Sequence, residues 1–318
     1  MRHEKRQKKC PKCGSGTVIC KGIKNGSQYW LCKSCGKYFS GRRWPSADEV
    51  SVAYSSGSCT VSDLAKRFKV SVSTVKRRLE RMDRGHVPLV AHDVVVLMDT
   101  TYWGRDFGVV VLMDASDSRV LWFKFIYRKE RLDDYREGLD CLKASGMEVK
   151  AVVSDGFTGL REMLRGVPYQ LCHFHQLQRI RQLLTNRPKL PASVELKEIA
   201  SALATSDKER FRAMLEDWHV RWKEFLKERT VTDNGRSFFT HRRTRSAYYS
   251  LKTHLDVLFT CQDFPDGVVP NTNNALDSLN SSIKTKLRNH RGLSLKRREL
   301  LIANLLRLYN PHRQRPHQ

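Results

Sequence analysis

Three aspartates, two cysteine pairs and one Cys-x-x-His element are the side chains of this 318-residue chain whose types and spacing can do chemistry. Asp99 closes the apolar run 94–98, and Asp155 closes the run 151–154 just before Gly156. Acids that end neighbouring strands can share divalent cations, and carboxylate oxygens suit Mg2+ or Mn2+. An aspartate at a strand end also serves ordinary turns, so neither residue alone defines a site. A third acid, Asp277, lies in the Asn-rich stretch 270–284. The pattern predicts a helix capped near Asn273 and closed by Gly292. On it Leu276, Leu279, Ile283 and Leu287 share one face, while Asp277, Lys284 and Arg288 share another about 100° away. Asp277 is therefore expected at the border of the buried face, with two cations aligned for phosphates.

The cysteine pairs carry a different chemistry. Cys10-Pro-Lys-Cys13-Gly and Cys32-Lys-Ser-Cys35-Gly are two C-x-x-C-G turns, each able to offer a thiolate pair to tetrahedral Zn2+. The glycine after each pair permits a tight turn that aims backbone N–H groups at the sulfurs. Residues 17–21 and 28–31 read as short strands around an Asn25-Gly26 hairpin turn. The unit reads as a zinc ribbon, with a structural metal because four protein ligands leave no open coordination position. Cys20 is a spare thiol. Cys172 and His175 resemble half of a zinc site, but no second pair follows at a suitable spacing, and His175 is read as a core or site-border residue.

These residues need elements to hold them. After Pro45, Ser46 and Glu49 form the pattern of a capping box. Residues 62–68 and 74–82 then read as two helices around a short turn, the second capped by Ser73, with Val75, Leu79 and Met82 inward. Lys76, Arg77, Arg78 and Arg81 face outward, the form of a helix that enters a major groove, although a solvated face of a small bundle has the same pattern. Runs 94–99, 107–113 and 120–127 suit a three-stranded meander, 131–144 a crossover helix, and 151–155 a fourth strand. That layout is α/β and ribonuclease-H-like. From 176 to about 265 the sequence turns helical, with Phe211, Met214, Leu215, Trp218, Trp222, Phe225 and Leu226 as a packing stripe. Residues 241–245 mix cations with Tyr248 and Tyr249, which suits either a single-strand contact or a solvated face.

The formal charge is +25, and it is unevenly spread: +14 over residues 1–90, +2 over 91–279 and +9 over 280–318. Two basic ends around a neutral middle fit a polyanion partner, nucleic acid first among them. Basic tails that only keep the chain in solution are the plainer alternative. The apolar runs fall short of the about 20 residues a bilayer crossing needs, and no apolar segment follows the charged N-terminus. The expectation is a chain of the cytoplasm, without membrane contact, whose nine cysteines stay reduced or bind metal.

Asp99 in Met-Asp-Thr-Thr, Asp155 in Ser-Asp-Gly, Cys172-His-Phe-His175 and the Asn-rich helix bearing Asp277 together resemble bacterial insertion-sequence transposases of the Mutator-like DDE/D kind. The resemblance implies a zinc ribbon at 1–44, a helix-turn-helix at 45–90 and a ribonuclease-H-like catalytic domain at 91–318. An all-helical insertion would occupy about 176–265. It further implies two-metal catalysis with Mg2+ or Mn2+ on Asp99, Asp155 and Asp277, with His175 at the site. DNA would be held by Lys76, Arg77, Arg78, Arg81, Lys284, Arg288 and Arg291. The partners would be terminal inverted repeats and target DNA, met by a dimer or larger assembly in the bacterial nucleoid. The family's third acid is usually Glu, and here Asp277 stands in its place. A non-catalytic DNA-binding relic and a structure-specific DNA nuclease are the competing readings.

Overall fold

A computed structural model of the chain describes residues 8–24, 27–40, 45–56, 59–80, 90–290 and 292–309. The chain divides into two units, Met1–Asp83 and Arg84–Gln318.

The first unit begins with a three-stranded antiparallel sheet, β1 (Val18–Lys24), β2 (Ser27–Cys32) and β3 (Tyr38–Ser40), in the order β1-β2-β3. Lys24 pairs with Ser27; the expected turn at Asn25 and Gly26 lies outside the described residues. The sequence reading lacks β3, whose aromatic pair Tyr38-Phe39 lays itself along Leu31 and Trp30. Three helices follow: α1 (Ala47–Ser56), α2 (Val61–Arg67) and α3 (Val72–Glu80). Ser46 and Glu49 do form the capping box, each side chain taking the other's backbone N–H (3.0 and 2.7 Å). Thr60 and Asp63 form a second one on α2. The cap of α3 is Ser71 rather than Ser73. The Ser71 hydroxyl accepts the N–H of Thr74 at 3.2 Å, which starts the helix two residues earlier and leaves Ser73 inside it. Val50, Leu64, Val75 and Leu79 are buried, whereas Lys76 and Arg77 are exposed and Arg78 half-buried. Arg81 and Met82 lie outside the described residues.

The second unit is α/β. Strands β4 (Asp93–Tyr102), β5 (Gly108–Asp114) and β6 (Val120–Ile126) form an antiparallel meander. Helix α4 (Leu132–Ala144) returns the chain to β7 (Glu148–Ser154), parallel to β4. The short α5 (Leu160–Met163) leads to β8 (Tyr169–Leu171), parallel to β7. The mixed sheet reads β6-β5-β4-β7-β8. Helices α6 (His173–Leu184), α7 (Pro191–Ser201) and α8 (Lys208–Lys227) come next. A hairpin of β9 (Arg229–Val231) and β10 (Ser237–Phe239) precedes α9 (Arg242–Leu258), α10 (Asn274–Asn289) and α11 (Leu295–Arg307). The stretch expected to be all-helical thus contains a hairpin. Thr230, Val231, Phe238 and Phe239 favour strand, and the intervening Asp233-Asn234-Gly235 supplies a turn with Gly235 at φ +73°. None of the described helices is long and apolar enough to cross a membrane.

The alternation along β4 sorts the sheet into two faces. Val94, Val96 and Met98 join a core with Tyr135, Leu139 and Leu142 of α4, a core that continues through Phe211, Trp218 and Tyr248 of the helical stretch. The aromatic stripe of α8 is packing, as its periodicity predicts: Phe211, Leu215, Trp218 and Leu226 are buried, and Trp218 donates to the carbonyl of Ala192 (3.0 Å). Val95, Leu97 and Asp99 point the other way, toward the side where α10 crosses β4.

Candidate functional site

In the first unit the four expected ligands meet. The Sγ atoms of Cys10, Cys13, Cys32 and Cys35 all lie within 4.8 Å of one another, with 3.6 Å for both the Cys10–Cys35 and the Cys13–Cys32 pairs. Thiolates placed tetrahedrally around one zinc at about 2.3 Å stand about 3.8 Å apart, so the cluster has the size of a four-thiolate zinc site. The two turns repeat the same backbone pattern. Cys10 accepts the N–H of Gly14 and donates to Ser15, and Cys32 accepts that of Gly36 and donates to Lys37. Gly14 and Gly36 sit at φ +72° and +68°, a conformation a side chain would strain. Burial raises the Cys32 thiol, but the backbone N–H groups of Cys35 and Ser34 outweigh it and bring the thiol down to about 6. Cys10 is lowered as well, whereas Cys13, against the N–H of Ser15, is pushed up to about 12 by the neighbouring sulfurs.

In the second unit the three aspartates converge from segments far apart in sequence. Asp99 does not end its strand. β4 continues through Thr100, Thr101 and Tyr102, whose β-branched and aromatic side chains keep pairing with Val110, Val109 and Gly108. What ends near Asp99 is the pairing with β7, whose last partners are Leu97 and Val153. Two residues further in that register, on the same face, Asp99 stands beside Asp155. Asp155 follows β7 directly and turns its Oδ1 to the N–H of Phe157 (3.2 Å). Gly156 there has φ +93°, and a Cβ on it would stand 2.8 Å from the Leu171 side chain, so the turn after the acid requires glycine.

Asp277 arrives on α10, whose amino end is pinned to the sheet. Buried Asn273 donates from Nδ2 to the carbonyl of Met98 (3.0 Å), and its N–H meets the Cys172 sulfur at 3.3 Å. Two turns on, Asn280 donates from Nδ2 to Oδ2 of Asp99 at 2.8 Å. Leu276, Leu279 and Ile283 are buried as expected and Leu287 half-buried, Lys284 and Arg288 are exposed, and Arg291 lies outside the described residues. Cys172 is therefore a link between α6 and α10. Its thiol is fully buried, pushed up by that burial and held by backbone N–H groups. His175, in the first turn of α6, is half-buried, with an Nδ1 that has no hydrogen-bond partner.

The electrostatics bind the set together. Burial first, then the charges of Asp155, Asp277 and Glu130, hold the Asp99 carboxyl well above its ordinary range. Asp277 is also raised, by burial and by Asp155, against the opposing charges of His175 and Lys284. Glu130, just before α4, is a fourth carboxylate raised by burial and by Asp155; it accepts a hydrogen bond from the Tyr135 hydroxyl. Among the described residues no ion pair closes on Asp99, Asp155 or Asp277, although the unit pairs Asp114, Asp134 and Asp256 elsewhere. The donor set is oxygen-only and short of positive charge, which fits a hard divalent cation. It is less tight than the cysteine cluster, the one group of three or more such ligands among the described residues with its donor atoms so close together.

Sequence reasoning missed Asn280 and Glu130, and took Asn273 only as a helix cap. The two asparagines lie four residues before and three after Asp277, spacings that place them near it on one helix. Glu130 carries no pattern of its own. Searched against known proteins, the chain matches no family model and no curated protein.

Proposed function

We propose that the chain is a DNA transposase with a ribonuclease-H-like catalytic unit. It would bind the terminal inverted repeats of its element and carry out metal-dependent strand cleavage and strand transfer. The observation that carries this reading is the convergence of Asp99, Asp155 and Asp277 from two adjacent strands and a distant helix. The sheet order supports it: a three-stranded meander extended by two parallel strands, with acids at the junction of the first and fourth strands of the unit. A basic unit with a four-cysteine cluster and the exposed Lys76 and Arg77 on α3 supports a DNA-reading role ahead of the catalytic unit.

When bound, Mg2+ or Mn2+ would supply the positive charge that acidifies a water or a 3′-hydroxyl and stabilises the leaving oxygen. Asp99, Asp155 and Asp277 offer the ligand oxygens, and because the carboxyls of Asp99 and Asp277 are raised, protons compete with the cation for them increasingly as pH falls. Asn280 orients Asp99 through a neutral hydrogen bond that leaves its charge intact. Lys284 and Arg288, on the outer face of α10, are placed to hold phosphates that flank the reacting one. No protein nucleophile is required.

The test uses DNA from the flanks of the chain's own gene, with Mn2+. Asp99→Ala should abolish nicking and joining yet retain binding of the terminal repeat. A fully active Asp99→Ala overturns the assignment. Binding without nicking by the unaltered protein would favour the relic, and nicking of branched DNA without joining would favour the nuclease.

A further inference from the structure

A cleft of about 510 Å³ opens beside the acidic site, between the turn after β7, α5, α6 and α9. Asp155 and His175 are among its lining residues. Arg161 of α5 and Arg179 of α6 both line it, together with His254 of α9. Burial first, and then the charges of these two arginines, lower the His254 imidazole against a hydrogen bond with the Ser250 backbone. Among the described residues neither arginine makes an ion pair, although Glu162 also lines the cleft. Two guanidinium groups outside any described ion pair, lining a polar cavity, suit a phosphate. Gln178 and Gln182, one turn apart on α6, bring amide donors and acceptors, and the partly exposed ring of Phe157 offers an apolar face. The volume falls in the range of pockets that enclose one small ligand, which admits one nucleotide and excludes a duplex.

We propose that this cleft binds one nucleotide of an unpaired DNA strand next to the phosphate handled by Asp155, with Arg161 and Arg179 on its phosphate and Phe157 and the glutamines on its base. The proposal rests on the function argued above, because it takes the substrate to be DNA. It adds that the strand enters this part of the site unpaired. The base would stack on Phe157, a contact that tolerates any sequence, and the guanidinium groups would track the backbone.

The test is photo-crosslinking of the full chain to a single strand of about ten nucleotides carrying 5-iododeoxyuridine, with Ca2+ as the divalent cation, followed by mass spectrometry of the peptides. Crosslinks are expected within residues 155–182 or 250–257. The double variant Arg161→Ala/Arg179→Ala should lower their yield about tenfold, the scale of two lost phosphate contacts. Crosslinks in residues 8–80 should persist in that variant, and Arg161→Lys/Arg179→Lys should recover most of the yield. A blunt duplex of the same sequence should crosslink in the cleft about tenfold less. Crosslinks confined to residues 8–80, an unchanged yield in the Ala variant, or equal labelling by the duplex would each overturn the proposal. Binding is read without cleavage, so an inactive protein that still crosslinks here would sink the transposase reading alone. A nicking enzyme with no crosslink here would sink only this one.

Discussion

Asp99 and Asp134 are carboxylates of one unit, the first half-buried and the second fully buried, and they are treated in opposite ways. Asp134 is fully buried on α4, where Arg128 grips it with both guanidinium nitrogens (2.7 and 2.9 Å) and Lys124 stands at 3.1 Å. It also accepts the N–H of Arg131 at the helix start. Burial alone would raise this carboxyl, but the Arg128, Arg131 and Lys124 hydrogen bonds outweigh it and hold the group at about 2. Asp99 has one neutral side-chain donor, Asn280, and its charged neighbours are acids. A carboxylate that only holds the fold comes with its cations built in; one left facing its own kind takes its positive charge from outside. The four thiols of the first unit belong with Asp99 in this respect.

The largest effect is expected where the outside charge also builds the fold. The first unit has few buried side chains, and structural zinc supplies on the order of 10–16 kcal/mol of folding free energy in comparable small modules. Cys32→Ser should release zinc and expose β1–β3 to rapid hydrogen exchange, while the second unit, with its own core, keeps its protection. Hydrogen exchange by mass spectrometry, together with zinc analysis, reads both. Retained protection of β1–β3 without zinc would break the parallel between the thiols and the acidic site.

Asp134→Asn comes next. Removing one partner from a buried ion pair costs about 3–5 kcal/mol when the remaining charge stays buried. Here Arg128 and Lys124 are 38% and 32% exposed, so water screens the released charges and about 2 kcal/mol is the expected loss. The pH dependence gives the sign. A carboxyl held below its unfolded value of about 3.9 contributes stability above that pH and loses it as pH falls toward 2. The gap in melting temperature between the protein and Asp134→Asn should therefore close between about pH 4 and pH 2. A gap that stays constant would mean that the side chain acts by shape and not by charge.

The two kinds of site were also unequally legible in the sequence. The four-cysteine cluster could be read from spacing because each C-x-x-C-G turn is local: one glycine and two backbone hydrogen bonds build it, and one short sheet joins the halves. Asp99 and Asp155 were legible as acids beside apolar runs, since strand alternation and a crossover helix leave clear patterns. Their place on neighbouring strands was legible too, but the register was not, because it is decided by contacts between segments far apart in the chain. The continuation of β4 past Asp99 depends on β5 offering partners for Thr100–Tyr102. Asn280 and Glu130 stayed hidden for a related reason, since each matters through a neighbour that only the tertiary fold supplies. The β9–β10 hairpin was the plainest miss. Its Asn-Gly turn was present in the sequence, but the helical periodicity on both sides drew the reading over it.

The smallest effect tests the comparison most directly, because it has the opposite sign from Asp134→Asn. Asp99→Asn keeps the shape of the side chain and an oxygen for the Asn280 donor, and removes only the charge. A carboxyl whose folded value is raised by burial and by neighbouring acids favours the folded state below its unfolded value of about 3.9. That contribution is lost as pH rises through the raised value. At neutral pH, without divalent cations, the ionised Asp99 is thus a cost to the fold, and the amide relieves it. The melting temperature of the second unit should rise, by about 2–4 °C for each kcal/mol relieved. The advantage should vanish near about pH 4, where both forms are neutral. Millimolar Mg2+ should reverse the order at neutral pH, since a cation that binds only the folded charged site stabilises the unaltered protein and not the variant. An Asp99→Asn protein that melts lower at neutral pH without cations would show that the acids of this site are stabilised from within, as Asp134 is, and would remove the electrostatic ground for placing a metal there.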